Sequence, residues 1–361
     1  AAGNLVLLPF VLIGGLLVVR KVQRFEMTAV FIAANLIAAF LTDESETLAE
    51  TIDMVLVYSP VLFAAFAMLT EPLTAPQTRP MQFVFAILAG VLTSPNIVFG
   101  EFSMTPEFGF LAANAFAWAV SGKRRYRLTL VTIEKLASGC YDYVFKPDHR
   151  LRFKPGQYLD WTLGLRNPDD RGNRRPFTIA SSPGEALVRL GVKFYPRPSA
   201  FKQALLDMKP GDVIYASHVA GSFILPSRID EKLAFLAGGI GITPFRSMVQ
   251  DMLDRREPRD AVMLYGVNRS SEIAYAGIFG RAERELGLRT VYAVKESVTP
   301  GMNMRQGFID AQMIRSEVPD YHERTFYLSG PRAMVIKFQS VLKGLGVPHA
   351  RIRTDYFPGF A

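Results

Sequence analysis

"KLAFLAGGIGITPFRSMVQDML" (232–253) decides how the second half of this chain reads. Leu233–Ala237 is a continuous apolar run, as expected of a strand buried on both faces of a parallel sheet. A glycine-rich turn follows, and then an amphipathic helical pattern. Strand, turn and helix in that order leave backbone N–H groups and a helix N-terminus beside the turn, which favours an anion.

Working outward, "AVMLYGV" (261–267), "RTVYAVK" (289–295) and "TFYLSG" (325–330) are further buried strands alternating with helical segments. Residues 228–361 are therefore expected to form an α/β domain with a parallel, nucleotide-binding type of sheet. Upstream the style differs. "RLTLVTIEKL" (127–136), "YDYVFKP" (141–147), "PGQYLDWTLG" (155–164), "RRPFTIASSP" (174–183), "LVRLGVKFYP" (187–196) and "DVIYASHVAGSF" (212–223) are short strands between turns. With one helix-like insert, "SAFKQALLDM" (199–208), they predict a small antiparallel β-barrel over residues 122–227.

Residues 1–121 are different again. Apolar runs at Leu5–Val19, Ala29–Leu41, Met54–Leu69, Met81–Val98 and Phe108–Val120 predict an α-helical transmembrane bundle of about five spans. The competing reading, a soluble helical domain, leaves too little polar surface to solvate a globule. Arg20, Lys21 and Arg24, then Arg79, then Lys123, Arg124, Arg125 and Arg127 fall on alternate loops, whereas "DESETLAE" (43–50) is acidic. That asymmetry predicts an outside N-terminus and a cytoplasmic remainder at the inner membrane. Much of the net +8 is this basic collar, suited to anionic membrane lipid rather than nucleic acid.

The single cysteine, Cys140, rules out a disulfide framework or a four-cysteine cluster within the chain. The four histidines all follow the last apolar run, so no bis-histidine haem is expected between the helices, and no metal site is predicted. The start "AAGNLV" reads as processed or truncated rather than as a signal peptide. Asn35 and Asn114 lie in the similar strings "FIAANLIAAF" and "FLAANAFAWA", which suggest either an inverted repeat or interhelical amide bonds between small residues.

"RPFTIAS" (175–181), "GGIGITP" (238–244), "YLSGPRAM" (327–334) and "RTDYFPGF" (353–360) occur in an order that resembles the ferredoxin–NADP⁺ reductase superfamily along residues 124–361. The resemblance implies FAD in the barrel and NAD(P)H in the α/β domain. It places Arg175 on a flavin phosphate, Pro176, Phe177 and Tyr158 against the flavin, and Thr178 near its N5. Lys193, Ser199, Ala200, Gly221 and Ser222 would complete the FAD site, with Ala220 where the family has proline. Gly239, Gly241, Thr243, Pro244, Gly330, Pro331 and Met334 would hold the pyridine nucleotide, and Phe357 would close the site. Catalytic roles fall on Thr178, Ser329 (a cysteine in much of the family) and Asp355. Arg269 is a candidate 2′-phosphate ligand, although NADH-using members also carry arginine there, so NADH and NADPH remain open.

"TEPLTAPQTRP" (70–80) and the "LAANAFA" helix (111–117) resemble one half of the RnfD/NqrB family of flavin-carrying membrane subunits. The family's attachment string for covalent FMN is absent. The resemblance makes Thr70, Glu71, Thr74 and Thr78 candidate contacts for a second, non-covalent flavin (FMN or riboflavin) or a quinone. Against this stands a proline-stiffened hairpin with exposed threonines. The expected activity is a membrane-bound, FAD-dependent NAD(P)H oxidoreductase. It would pass electrons to a carrier in its membrane domain, a quinone or a redox partner protein. Alternatives are a membrane-anchored reductase of soluble ferredoxin or flavodoxin, and a nucleotide-regulated ion or solute membrane protein.

Overall fold

The computed structural model describes residues 6–22, 24–42, 47–71, 74–76, 79–95, 97–99, 102–120, 125–165, 169, 172–296 and 303–357. Of Lys21, Arg79, Val98, Phe99, Phe102, Tyr356 and Phe357 it describes the backbone alone. Contacts divide the chain into two units, Ala1–Gly122 and Lys123–Ala361.

The first unit contains helices α1 (Leu8–Val22), α2 (Phe25–Thr42), α3 (Leu48–Tyr58), α4 (Val61–Met68), α5 (Arg79–Leu92) and α6 (Pro106–Val120), with a β1–β2 ribbon (Val98–Phe99, Phe102–Ser103) before α6. The sequence predicts five spans, and the described residues meet this only in part. One helix, α2, has the length and apolarity to cross a bilayer, or two spans do if α3 and α4 count as one. The third apolar run is not a single helix. Pro60 lacks an N–H and disfavours helical backbone at Ser59, which is extended, so α3 and α4 meet at 62°. Both helices end in wide turns, with Ser59 N donating to Met54 O and Leu69 N to Ala64 O, each at 2.9 Å.

The two asparagines do not behave alike. Asn35 is fully buried, and its Nδ2 donates to Gly90 O at 2.9 Å and Thr93 Oγ1 at 3.2 Å, tying α2 to α5. A Cβ on Gly90 would stand 2.6 Å from Phe31 O, so the helices touch through backbone. Asn114 is only partly buried. An interhelical amide bond between close-packed helices accounts for Asn35.

In the 70–80 loop, Thr70 is buried and its hydroxyl bonds back to Phe66 O at 2.6 Å, while Glu71 and Thr74 are exposed. Thr74 Oγ1 reaches Glu71 O at 3.4 Å and Ala75 N donates to the same carbonyl, a local turn. Thr78, with Lys123 and Arg124 of the basic collar, lies outside the described residues.

The second unit begins with six antiparallel strands, β3 (Arg125–Ala137), β4 (Cys140–Pro147), β5 (Tyr158–Thr162), β6 (Arg174–Thr178), β7 (Val188–Lys193) and β8 (Val213–Ala220), ordered β6-β5-β8-β3-β4-β7. Helix α7 (Ala200–Leu206) is the expected insert. Ala180 N donates to Arg189 O at 2.9 Å just beyond β6, drawing the two edges toward a barrel. Its core is Leu128, Phe145, Leu159, Trp161, Leu190, Phe201 and Ile214, all essentially inaccessible.

The rest alternates: β9 (Leu233–Gly238), α8 (Thr243–Arg255), β10 (Ala261–Val267), α9 (Ala276–Leu286), β11 (Arg289–Val294), β12 (Met304–Gln306), α10 (Ala311–Glu317), β13 (Thr325–Pro331), α11 (Arg332–Gly344) and β14 (Ile352–Phe357). The strands form one parallel sheet, ordered β12-β11-β10-β9-β13-β14. All six residues of β9 are buried, as its unbroken apolar run requires. The order reverses at β9, with β10 on one side and β13 on the other. The carboxyl ends of strands at such a switch point are where open α/β sheets bind ligands.

Candidate functional site

The antiparallel sheet ends at β6, whose register sets Tyr158 opposite Thr178, Asp160 opposite Pro176 and Leu159 opposite Phe177. Thr178 is buried, Phe177 is half-buried against the Phe201 ring 5.7 Å away, and Pro176 is exposed. The Tyr158 ring approaches Gly221, where a Cβ would lie 3.2 Å from it. The turn before β5 is held from two sides. Gly156 has φ +92 and no room for a Cβ, which would meet Phe223 O at 2.0 Å, and Gln157 Nε2 donates to Gly221 O at 3.1 Å. An edge strand bearing a half-buried ring, a hydroxyl and an adjacent tyrosine fits a flat, partly polar ring system.

Other predicted residues of this half are already engaged. Arg175 Nη2 donates to Asp169 Oδ1 at 2.8 Å, and its Nη1 to the Gly172 and Arg174 carbonyls. A phosphate would have to share or displace Asp169. Lys193 Nζ donates to Glu272 Oε2 at 2.6 Å, which ties the barrel to the α/β domain. Ser199 caps α7, accepting from Lys202 N at 3.4 Å, and Ala200 starts that helix. Ser222 is exposed beside Gly221.

On the nucleotide side, Gly238–Ile242 turns tightly from β9 into α8. A Cβ on Gly241 would sit 2.4 Å from Ser329 O and 2.5 Å from Gly330 Cα, so the turn lies directly on the end of β13. Gly238 is likewise covered by Met334. Gly239 is only partly buried, Thr243 Oγ1 donates to Ile240 O at 3.1 Å, and buried Pro244 lies in the first turn of α8. Pro331 is exposed at the start of α11. Ser329 Oγ lies 3.5 Å from Asp355 Oδ2, because β13 and β14 pair Ser329 with Asp355 in register. The structure therefore brings two of the three predicted catalytic side chains together. Of Phe357 only the backbone is described.

Two segments of the chain match known families. Residues 235–340 match the oxidoreductase NAD-binding domain, and residues 1–125 match the NQR2, RnfD, RnfE family. The chain joins these two modules. A flavohemoprotein of Halalkalibacterium halodurans is 25% identical over 257 residues, covering 66% of this chain and 61% of its own length. An NADPH oxidoreductase of Mycobacterium tuberculosis is 28% identical over 199 residues, 54% of this chain and 50% of its own. The chain thus spans between half and three-fifths of these relatives. The flavohem-like FAD/NAD binding domain of a nitric oxide dioxygenase from Vibrio cholerae superposes with a TM-score of 0.57 at 18% identity, covering 66% of this chain and 99% of that domain. That likeness shows the fold of residues 125–357: an antiparallel half-barrel and a parallel sheet.

Within residues 125–357, several side chains that the sequence reading passes over pin the barrel to the parallel sheet. Arg246, on α8 and 4% exposed, donates through Nη1 to Ala180 O at 3.0 Å and through Nη2 to Glu185 Oε1 at 2.9 Å. Arg189 continues the chain of charges to Glu134 and buried Asp142, each at 2.8 Å. Burial pushes the Asp142 carboxyl up, and Arg189 pulls it back. Backbone adds Ser138 N to Ser271 O at 2.9 Å, and Tyr327 Oη donates to Ile224 O at 2.9 Å. No local motif marks these residues, since their partners lie far away in sequence. The helical position of Arg246, amid the buried face of α8, was the one available signal.

Desolvation pushes the Asp355 carboxyl up to about 7, with the Ser329 hydroxyl pulling the other way. Its folded value exceeds the unfolded one, so Asp355 subtracts stability as pH rises from the ordinary carboxylate range to about 7. Below that window both states are protonated and it contributes nothing. Asp355→Asn is expected to flatten the pH dependence of the denaturation midpoint within the window. Parallel profiles for variant and parent would show that Asp355 does not titrate there.

Proposed function

We propose that this chain is a membrane-associated, FAD-dependent NAD(P)H oxidoreductase. In this reading residues 122–227 hold FAD, residues 228–361 hold the nicotinamide nucleotide, and residues 1–121 lie in the inner membrane with the reductase module on the cytoplasmic side. Electrons leave for a carrier in or docked to the membrane segment, a quinone, or a redox partner protein. The observation that carries the reading is the seat of the Gly238–Ile242 turn on Ser329 and Gly330, beside the Ser329–Asp355 pair, in the same unit as the β6 platform.

Bound FAD would supply two-electron acceptance from a nicotinamide hydride and one-electron release. The chain's own part is placement. Tyr158, Pro176 and Phe177 offer the surface for the ring system, Thr178 a hydroxyl at its edge, and Arg175 a fork for a phosphate. The glycine turn lets backbone N–H groups approach the nucleotide's pyrophosphate. Ser329 and Asp355 stand at the carboxyl edge of the sheet, where the nicotinamide end would arrive. Burial raises the proton affinity of Asp355, so it presents less negative charge to the nucleotide there than an ordinary carboxylate would.

Detergent purification of the full chain with quantitative flavin extraction tests this. We expect FAD to co-purify and to bleach anaerobically on addition of NADH or NADPH, and a flavin-free protein would refute the reading. Arg175→Ala is expected to lose most of the FAD; full occupancy in that variant would remove the phosphate role. A second extractable flavin, lost on Thr74→Val or Thr78→Val, is the result expected if the 70–80 loop contacts one. A single flavin unaffected by those changes leaves that loop a structural hairpin.

A further inference from the structure

Beyond β10 and β11 the chain carries an ion pair that the reading above does not use. Val267 and Val294 end these neighbouring parallel strands in register. Two residues past each strand end, Arg269 Nε donates to Glu296 Oε2 at 2.9 Å. The backbone fixes the pair's base. Lys295 N donates to Val267 O at 3.1 Å, Glu296 N to Asn268 O at 3.0 Å, and Gln306 Nε2 to Glu296 O at 3.1 Å. The side chains remain open to solvent, at 66% and 50% exposure, along the carboxyl edge of the sheet. In doubly wound sheets an acidic residue near a strand end holds a ribose 2′-hydroxyl, whereas a free arginine accommodates a 2′-phosphate.

We propose that Glu296, held against Arg269, makes this module select a nicotinamide nucleotide with a free ribose 2′-hydroxyl, NADH, over its 2′-phosphorylated counterpart, NADPH. The inference rests on the reading that residues 228–361 bind a nicotinamide nucleotide. A carboxylate accepts a hydrogen bond from a neutral hydroxyl while keeping its bond to Arg269. A 2′-phosphate brings roughly 1.5 to 2 negative charges against Glu296. It could recruit Arg269 only by leaving that carboxylate unpaired beside it. Glu272 adds a further negative charge acting on Arg269, although it is itself held by Lys193. Two further cations are directed elsewhere: Lys295 and Lys337 lie over the Phe308 ring, 5.6 and 5.2 Å from its centre. An exposed ion pair contributes little to stability, so the pair can be altered without unfolding the domain.

The test uses the full chain in detergent, titrated calorimetrically with ADP-ribose and with 2′-phospho-ADP-ribose, alongside kcat/KM for NADH and NADPH. The parent is expected to favour ADP-ribose and NADH by at least about tenfold, and Glu296→Gln to reduce that ratio by about tenfold. Glu296→Arg is expected to reverse it. FAD content reports that each variant is folded. A parent that prefers the 2′-phosphate, or a ratio unmoved by Glu296→Gln, overturns the selection proposal and leaves the nucleotide site standing. Failure of both ligands to bind the flavin-loaded parent overturns the selection proposal and the nucleotide site together.

Discussion

Gly241→Ala is expected to slow flavin reduction by NAD(P)H by about a hundredfold while FAD content stays at the parent level. The new Cβ would lie 2.4 Å from Ser329 O and 2.5 Å from Gly330 Cα, atoms of backbone that no rotamer change can clear. The turn must lift from β13, and the proposed nucleotide site is built from those two segments. The flavin platform on β6 belongs to the other sheet and is untouched. Gly277→Ala is the control, because a Cβ at that position on α9 meets nothing within 4 Å. Rapid-mixing measurement of flavin bleaching, with dithionite confirming that the flavin remains reducible, separates hydride transfer from flavin loss. An unchanged rate in Gly241→Ala would mean that the turn does not touch the nucleotide.

Arg246→Met is expected to lower the stability of the reductase module by about 3–5 kcal/mol, since it leaves Glu185 and Ala180 O without their buried partner. Glu185 also accepts from Ser182 N at 2.7 Å and lies 3.5 Å from Arg189 Nε, so its carboxylate is held in place after the arginine is gone. Adding Glu185→Gln should recover part of the loss, because the double variant no longer holds a partly buried carboxylate that has lost the nearer of its two arginine partners. Denaturant midpoints of the four proteins, followed by flavin fluorescence, decide the matter. Strict additivity would show that the two side chains are energetically independent despite their contact. A second consequence concerns function. Arg246 and Ser247, the latter donating to Ser181 O at 2.6 Å, join α8 to the segment just after β6. Loosening that joint should slow hydride transfer more than it weakens nucleotide binding.

Much of the reductase module was legible in local sequence. The 233–237 apolar run could only be a two-sided buried strand, and the glycines after it required a tight turn. The strand-and-turn pattern in 127–223 matched six antiparallel strands, although β4 and β7 are buried at consecutive positions rather than alternately. The membrane-family segment was legible as helices but not as spans. An apolar run such as Met54–Leu69 reads as continuous, whereas Ser59–Pro60 breaks it in the folded chain. The Asn35 and Asn114 strings look alike, yet among the described residues only Asn35 finds a carbonyl and a hydroxyl to bond.

The candidate site divides in the same way. Ser329 and Asp355 were found as separate motifs, and their 3.5 Å approach follows from the β13–β14 register. Arg269 was visible, but Glu296 was not, being 27 residues away and adjacent only because β10 and β11 are neighbours in the sheet. Across residues 125–357 the sequence by itself determined most of the strands, turns and helices, since these follow from periodicity and from the backbone demands of glycine and proline. Only the tertiary structure decided which charges meet. Pairings such as Arg246–Glu185, Lys193–Glu272 and Arg269–Glu296 depend on strand order and domain packing, which bring distant residues within hydrogen-bond reach without leaving any local pattern.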